Sequence, residues 1–89
     1  DMAARLGGEE FCVLLYGIPP ETAQARFDDL LHRIRSLGIP HAGSPANVLT
    51  LSAGAAMLGR HERFDALADR ADTALYRAKR EGRDRLYWA

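Results

Sequence analysis

The chain has 89 residues, enough for one small domain at most. Apolar residues make up 47% and charged residues 27%, an ordinary globular composition. The 12 basic and 12 acidic side chains cancel, which argues against a general nucleic-acid binder, because such proteins are markedly basic. No run is long and apolar enough to predict a transmembrane helix, and no signal-peptide pattern opens the chain. Cys12 is the only cysteine, so no internal disulfide can form, as in a reducing cytosol.

The first predicted element is a β-hairpin around a pair of glycines. Gly7 and Gly8 separate the short run 2–6 from the apolar run 11–16. Both glycines can take the positive φ that a tight two-residue turn requires. The second run is almost wholly apolar, which predicts a strand buried on both faces and central in its sheet.

The next predicted element is an amphipathic helix. Pro19 and Pro20 favour a helix start at this point, while Gly38 predicts a C-terminal cap and Pro40 prevents continuation. Apolar residues recur at helical spacing, which predicts that they form the buried face: Ala23, Phe27, Leu30, Leu31, Ile34 and Leu37. The remaining faces are polar or charged.

A strand, a second helix and a final strand complete the pattern. Polar and apolar residues alternate in part of the run 48–58, which predicts a strand. Residues 85–89 predict a short terminal strand. Between them, a second apolar stripe predicts a helix that ends near Gly82: Phe64, Leu67, Ala68, Ala71, Leu75 and Ala78. The order β-β-α-β-α-β predicts an α+β fold with helices packed on a mostly antiparallel sheet. We expect part of that sheet to be missing, because the chain begins at Asp1 and looks like a piece of a longer protein.

The glycine turn is followed by two adjacent carboxylates, Glu9 and Glu10. Glycines let a bulky ligand approach the backbone, since they have no Cβ. Two carboxylates at the mouth of a strand can hold Mg²⁺, which prefers oxygen ligands and bridges to substrate phosphates. The alternative is an ordinary hairpin turn with a solvated strand start.

The end of the second helix is basic. Lys79 and Arg83 are four residues apart, so they share a face if the helix extends that far. Such a pair could clamp a triphosphate, with Arg83 offering bidentate contacts. The alternative is a basic helix end, which the helix macrodipole favours without any ligand.

Taken together, three segments resemble the GGDEF family, specifically the C-terminal half of its domain. Residues 7–11 are similar to the signature in its Gly-Gly-Glu-Glu-Phe form, and residues 50–56 to a Thr-x-Ser-x-Gly-x-Ala strand. Residues 71–83 resemble the Ala-Asp-x-Ala-Leu-Tyr-x-Ala-Lys-x-x-Gly-Arg helix. The resemblance implies a fold like that of nucleotide cyclases and polymerase palms, with its N-terminal portion outside residues 1–89.

The resemblance also implies an activity and its partners. Members condense two GTP molecules into cyclic di-GMP and pyrophosphate, with Mg²⁺, or alternatively Mn²⁺, as cofactor. Two domains face each other as a homodimer, and an N-terminal sensory or regulatory domain usually precedes them. We therefore expect a cytoplasmic segment that contacts neither membrane nor nucleic acid.

Site residues follow from the same resemblance. Glu9 would be catalytic and bind metal, and Glu10 would bind metal. Gly7 and Gly8 would let GTP approach, and the terminal phosphates would contact Lys79 and Arg83. Asp1 and Arg33 would belong to a product-inhibition site for cyclic di-GMP.

The chain also departs from the family pattern. The metal-binding Asp of the family's first strand, and the Asn and Asp that contact guanine, are not among these residues, so we expect residues 1–89 alone to be inactive. Leu6 replaces the usual aromatic residue, and Asp84 stands where Asn is common. Two other hypotheses stay open: a catalytically idle module that binds GTP or cyclic di-GMP and regulates an attached domain, and a generic α+β domain with no nucleotide role.

Overall fold

The computed structural model describes residues 2–7, 10–44 and 47–89. The described elements follow the order β-β-α-β-α-β, which confirms the predicted order and the α+β class. Their bounds are β1 Met2–Gly7, β2 Glu10–Leu14, α1 Pro20–Ser36, β3 Ala53–Ala55, α2 Phe64–Arg80 and β4 Leu86–Trp88. None of the described helices is long and apolar enough to span a bilayer.

The described strands form two separate two-stranded sheets, whereas a single sheet was predicted. The β1–β2 pair is antiparallel, whereas the β3–β4 pair is parallel. The parallel pairing follows from the connection, because α2 carries the chain back along the sheet between β3 and β4. The antiparallel hairpin is the longer of the two pairings, and Pro40 and Val48 add an antiparallel bridge, so the described pairing is mostly antiparallel, as predicted.

The hairpin pairs Met2 with Leu14 at one end and Gly7 with Glu10 at the other. Its register shifts between Arg5 and Gly7, which marks a β-bulge next to the turn. Gly7 is thus the last strand residue, and not part of a Gly-Gly turn as predicted. The link between the last pair consists of residues 8 and 9, which lie outside the described residues.

Large apolar side chains of the hairpin are exposed. Phe11 is 69% exposed and Val13 is 60% exposed, while Cys12 and Leu14 are half-buried. Among the described elements, no Cα of β1 or β2 lies within 8 Å of either helix or of the second sheet. The prediction that the second strand is buried on both faces was wrong, because burial needs a neighbour on each face and the described residues supply none.

Helix α2 lies directly on β3, with very small residues between them. A Cβ built on Gly54 would meet Ala71 O at 2.0 Å and Leu75 N at 2.2 Å, so backbone touches backbone there. Ala74 and Ala78 are 3% and 0% exposed and belong to this contact. Ala74 was not among the predicted core positions, and Phe64, which was, is 57% exposed.

Among the described helices and strands, helix α1 packs along β4. Leu31 is its one buried residue among those described, whereas Leu30 and Leu37 are exposed, against the predicted apolar face. A polar tie supplements this packing, because Trp88 Nε1 donates a 2.7 Å hydrogen bond to Gln24 Oε1. The helix begins at Pro20, and Gly38 has a φ of +62° just beyond its end, as the sequence predicts.

The predicted strand 48–58 is much shorter in the structure. Only Ala53–Ala55 pairs with β4, and Val48 forms an isolated antiparallel bridge with Pro40. The residues between them lie in no described strand. They are half-buried, which shows that their apolar character serves packing more than sheet pairing.

The loop before α2 is clamped to that helix. The Arg70 guanidinium donates to both carboxylate oxygens of Glu62, at 2.7 and 2.8 Å, and to Met57 O at 2.6 Å. Glu62 also accepts a hydrogen bond from Gly59 N at 2.8 Å. The Arg70 hydrogen bonds, followed by the Gly59 bond, lower the pKa of the Glu62 carboxyl from its ordinary 4.5 to about 2.

Candidate active site

The first part of the candidate site is the turn end of the β1–β2 hairpin, where Gly7 pairs with Glu10. Glu10 is the first residue of β2, is exposed, and pairs across the sheet with Gly7. An exposed carboxylate at a strand end can take a cation, and among the described elements no helix or second sheet lies against the hairpin. Three predicted site residues, Gly8, Glu9 and Asp1, lie outside the described residues.

The second part is the end of α2. The helix ends at Arg80, with Lys79 half-buried in its last turn and Arg83 exposed beyond it. The chain reverses at Gly82, whose φ is +124°, and Arg83 N donates to Ala78 O at 2.8 Å in a Schellman-type closure. Arg83 is therefore not on the helix, so the condition under which Lys79 and Arg83 would share a helical face is not met.

The turn after α2 is anchored by residues that the sequence did not single out as partners. Asp84 N donates to Ser52 Oγ at 3.1 Å, and Asp84 Oδ2 lies 3.3 Å from Arg35 Nε. Ser52 precedes β3, and Arg35 comes from the last turn of α1. Three elements thus converge on the residue next to Arg83. No periodicity signals this contact, since the partners are about thirty or more residues from Asp84 along the chain.

Nearby arginines have local partners. The Arg77 guanidinium lies 4.8 Å from the centre of the Tyr87 ring and 3.4 Å from Glu81 Oε2. Arg80 lies over Tyr76 at 5.8 Å. Within the described part of the chain, neither Lys79 nor Arg83 forms a side-chain ion pair. The charges of these two side chains are therefore not neutralised by a described carboxylate, and they can meet an anionic ligand.

The structure does not bring the two parts together among the described residues, because no Cα of the hairpin strands lies within 8 Å of α2. The described ranges also contain no group of three or more His, Cys, Asp or Glu side chains suited to a metal. Arg33, the predicted product-inhibition residue, is 75% exposed and pairs with Asp29 at 2.9 Å. Its predicted neighbour Asp1 is outside the described residues, so that pairing stays a prediction.

Comparison with known proteins matches this arrangement to one family. The family described as "Diguanylate cyclase, GGDEF domain" matches residues 1–85. Since this match covers nearly the whole sequence, the chain belongs to the GGDEF family.

Curated relatives agree with that assignment. The chain is 43% identical over 86 residues to diguanylate cyclase DgcP of Pseudomonas aeruginosa, covering 97% of this chain and 13% of the relative. It is 38% identical to diguanylate cyclase DgcM of Escherichia coli K12, covering 97% and 20%. It is 36% identical to diguanylate cyclase A of Treponema denticola, covering 97% and 23%. The chain thus spans less than a quarter of these relatives and corresponds to a segment of a diguanylate cyclase domain.

Proposed function

We propose that the protein containing this segment is an active diguanylate cyclase, which condenses two GTP molecules into cyclic di-GMP and releases pyrophosphate. The observation that carries the proposal is the carboxylate hairpin: this member of the family retains Gly7, Gly8, Glu9 and Glu10, and Glu10 is exposed at the turn end of the hairpin. An idle module would have no need for two adjacent carboxylates there.

In this proposal Glu9 and Glu10 hold a divalent metal, Mg²⁺ by preference and Mn²⁺ as an alternative. The donor chemistry fits, because both ions prefer anionic oxygen and Glu10 offers an uncovered carboxylate. When bound, such a metal stabilises charge on the reacting phosphate. Glu9 itself lies close to the reaction in this assignment and helps to remove the proton from the attacking 3′-hydroxyl.

The remaining substrate contacts come from the glycines and from the end of α2. Gly7 and Gly8 leave room for the nucleotide next to the backbone, because neither has a Cβ. Lys79 and Arg83 hold the terminal phosphates of GTP. The basic end of α2 supports this assignment, because the neighbouring Arg77 and Arg80 lie over the rings of Tyr87 and Tyr76.

Completion of the site requires the N-terminal portion of the domain. We place residues 1–89 in the C-terminal portion of one GGDEF domain. An additional strand would pair with a free backbone edge and join the two small sheets, and elements packed on the sheet face would cover the exposed side chains of Phe11 and Val13. The working form would be a cytoplasmic homodimer with an N-terminal sensory or regulatory domain, inhibited by its product through Asp1 and Arg33.

The test is product formation by the complete protein. Incubation with GTP and Mg²⁺ should yield cyclic di-GMP, identified by mass spectrometry, and residues 1–89 alone should yield none. Binding of GTP or cyclic di-GMP without any turnover would contradict the proposal and favour the idle regulatory module. If the complete protein shows no binding and no turnover, the result would contradict both the cyclase proposal and the idle regulatory module.

A further inference from the structure

The turn that carries Arg83 has an unusual backbone. Gly82, Arg83 and Asp84 have φ values of +124°, +62° and +51°, three consecutive residues in the left-handed half of conformational space. Glycine takes this conformation freely, but Arg and Asp do so at a cost in free energy. Such a conformation persists only where surrounding contacts hold it, and it concentrates at functional sites.

The contacts that hold the turn come from outside it. Schellman-type closure fixes Arg83 N to Ala78 O, and Arg85 Nε donates to Arg83 O at 2.8 Å. Asp84 is then fixed twice, by its N–H to Ser52 Oγ and by its carboxylate to Arg35 Nε. The exposed guanidinium of Arg83 therefore projects from a backbone that is bonded on both sides.

Asp84 is a costly residue for a purely structural role. Its side chain is only 17% exposed, and Oδ1 is buried with no hydrogen-bond donor among the described residues. A buried acceptor without a donor lowers stability, and a half-satisfied buried carboxylate does so more. A simple helix end would be closed at lower cost by Gly82 alone.

We propose that Asp84 is a positioning residue, whose carboxylate ties the left-handed turn to Arg35 so that Arg83 meets the nucleotide phosphates. This inference rests on the proposed function of Arg83 as a phosphate contact. Asp84 acts through Arg83 and does not touch the nucleotide. Helix α1 takes part in the phosphate site by the same route, since Arg35 is its contribution.

A double-mutant cycle on GTP affinity tests the inference. In the complete protein, calorimetry should give a GTP Kd about tenfold to hundredfold weaker for Arg83→Ala, the range for losing one charge-assisted contact. Asp84→Ala should weaken it several-fold, whereas Asp84→Asn, which tolerates positive φ and keeps the shape, should retain most of the affinity. Arg83→Ala with Asp84→Ala should match Arg83→Ala within about twofold, because a positioning residue has nothing left to position.

Glu62→Gln is the matched control, because it loosens a comparable ion pair far from the turn and should leave the GTP Kd unchanged. Additive losses in the double variant, or an unchanged Kd in Asp84→Ala, would overturn the positioning role. If the complete protein binds GTP but makes no cyclic di-GMP, the proposed function fails while the cycle still decides the role of Asp84. If it binds no GTP, both fail.

Discussion

The hairpin and the β3–α2–β4 unit differ sharply in how they are held. The hairpin is made of one antiparallel pair and contacts no other described element, and its large side chains Phe11 and Val13 face outward. In the β3–α2–β4 unit, by contrast, backbone lies against backbone at Gly54, and Ala78 is fully buried. The motif that carries Glu10 thus lies in the hairpin, which few described contacts support. The motifs that carry Gly54 and Ala78 lie in the tightly packed β3–α2–β4 unit.

This difference separates two kinds of motif residue. Gly54 and Ala78 occur within family-like segments, yet their surroundings explain them by close packing alone. Glu10 has no packing role that would explain it, since it is exposed at the end of an uncovered strand. Substitutions in the first group should therefore act on stability, and substitutions near Glu10 should act on chemistry.

The largest expected effect is on stability, from Gly54→Ala. The new Cβ would stand 2.0 Å from Ala71 O and 2.2 Å from Leu75 N, so α2 would have to move away from β3. We expect a loss of about 3 kcal/mol in the free energy of unfolding, at the upper end for overpacking. Chemical denaturation of the complete protein measures it.

Gly17→Ala is the matched control for Gly54→Ala. Gly17 has a φ of +65° but open space around its Cβ position, so only the backbone penalty of about 1–2 kcal/mol applies. Equal losses of unfolding free energy in the two variants would show that α2 and β3 are not in close contact. The contrast between the hairpin and the β3–α2–β4 unit would then be wrong.

Next comes Glu9→Gln in the complete protein, which removes a charge while keeping shape and length. Turnover of GTP should fall by roughly a hundredfold or more, the scale for losing a positioned acid–base group. Stability should change little, because the substitution keeps the shape and length of the side chain. Glu9→Asp should keep part of the activity. A variant Glu9→Gln that turns over GTP like the parent would remove the catalytic role.

Lys79→Ala separates phosphate binding from helix capping. If Lys79 holds a phosphate, GTP affinity should fall about tenfold to hundredfold while the fold stays intact. If it only complements the helix macrodipole, the result is a stability loss of about 0.3–1 kcal/mol with affinity unchanged. Arg80→Ala is the control, because it removes the same charge from a side chain that lies over Tyr76.

The smallest effect is the acid dependence of the Glu62–Arg70 clamp. Because folding lowers the Glu62 pKa from 4.5 to about 2, this carboxylate stabilises the fold fully above pH 4.5. That contribution declines as pH falls from 4.5 toward 2, where the folded form also takes up the proton. The difference in Tm between the parent and Glu62→Gln should therefore shrink over this interval. Asp65→Asn, at an exposed carboxylate, is the control.

Local signals predicted the helices well and the sheet poorly. Pro20 and Gly38 mark the bounds of α1 because proline and glycine act through their own backbone. The burial of residues 11–16 depends on which elements cover the strand, and no local property of those residues supplies that. Phe11 and Val13 are apolar in sequence and exposed in the structure for this reason.

Prediction of the site had the same limit. Glu10 was placed correctly at the start of a strand, since the turn and the strand are neighbours along the chain. Lys79 and Arg83 would share a helical face only if the helix extended to Arg83, but the helix ends between them and the chain reverses at Gly82. The Ser52 and Arg35 contacts to Asp84 join distant parts of the chain and could be found only in three dimensions.

The hydrogen bond between Trp88 and Gln24 allows the packing of α1 to be followed by tryptophan fluorescence. Trp88 is the only tryptophan among the 89 residues, and its indole N–H is bonded to the helix that also carries Arg33 and Arg35. Indole emission depends on the polarity around the ring and on the hydrogen bond that its nitrogen donates. A shift of α1 away from β4 would expose the indole to water and move its emission to longer wavelength. The fold therefore contains an intrinsic optical reporter of α1 docking.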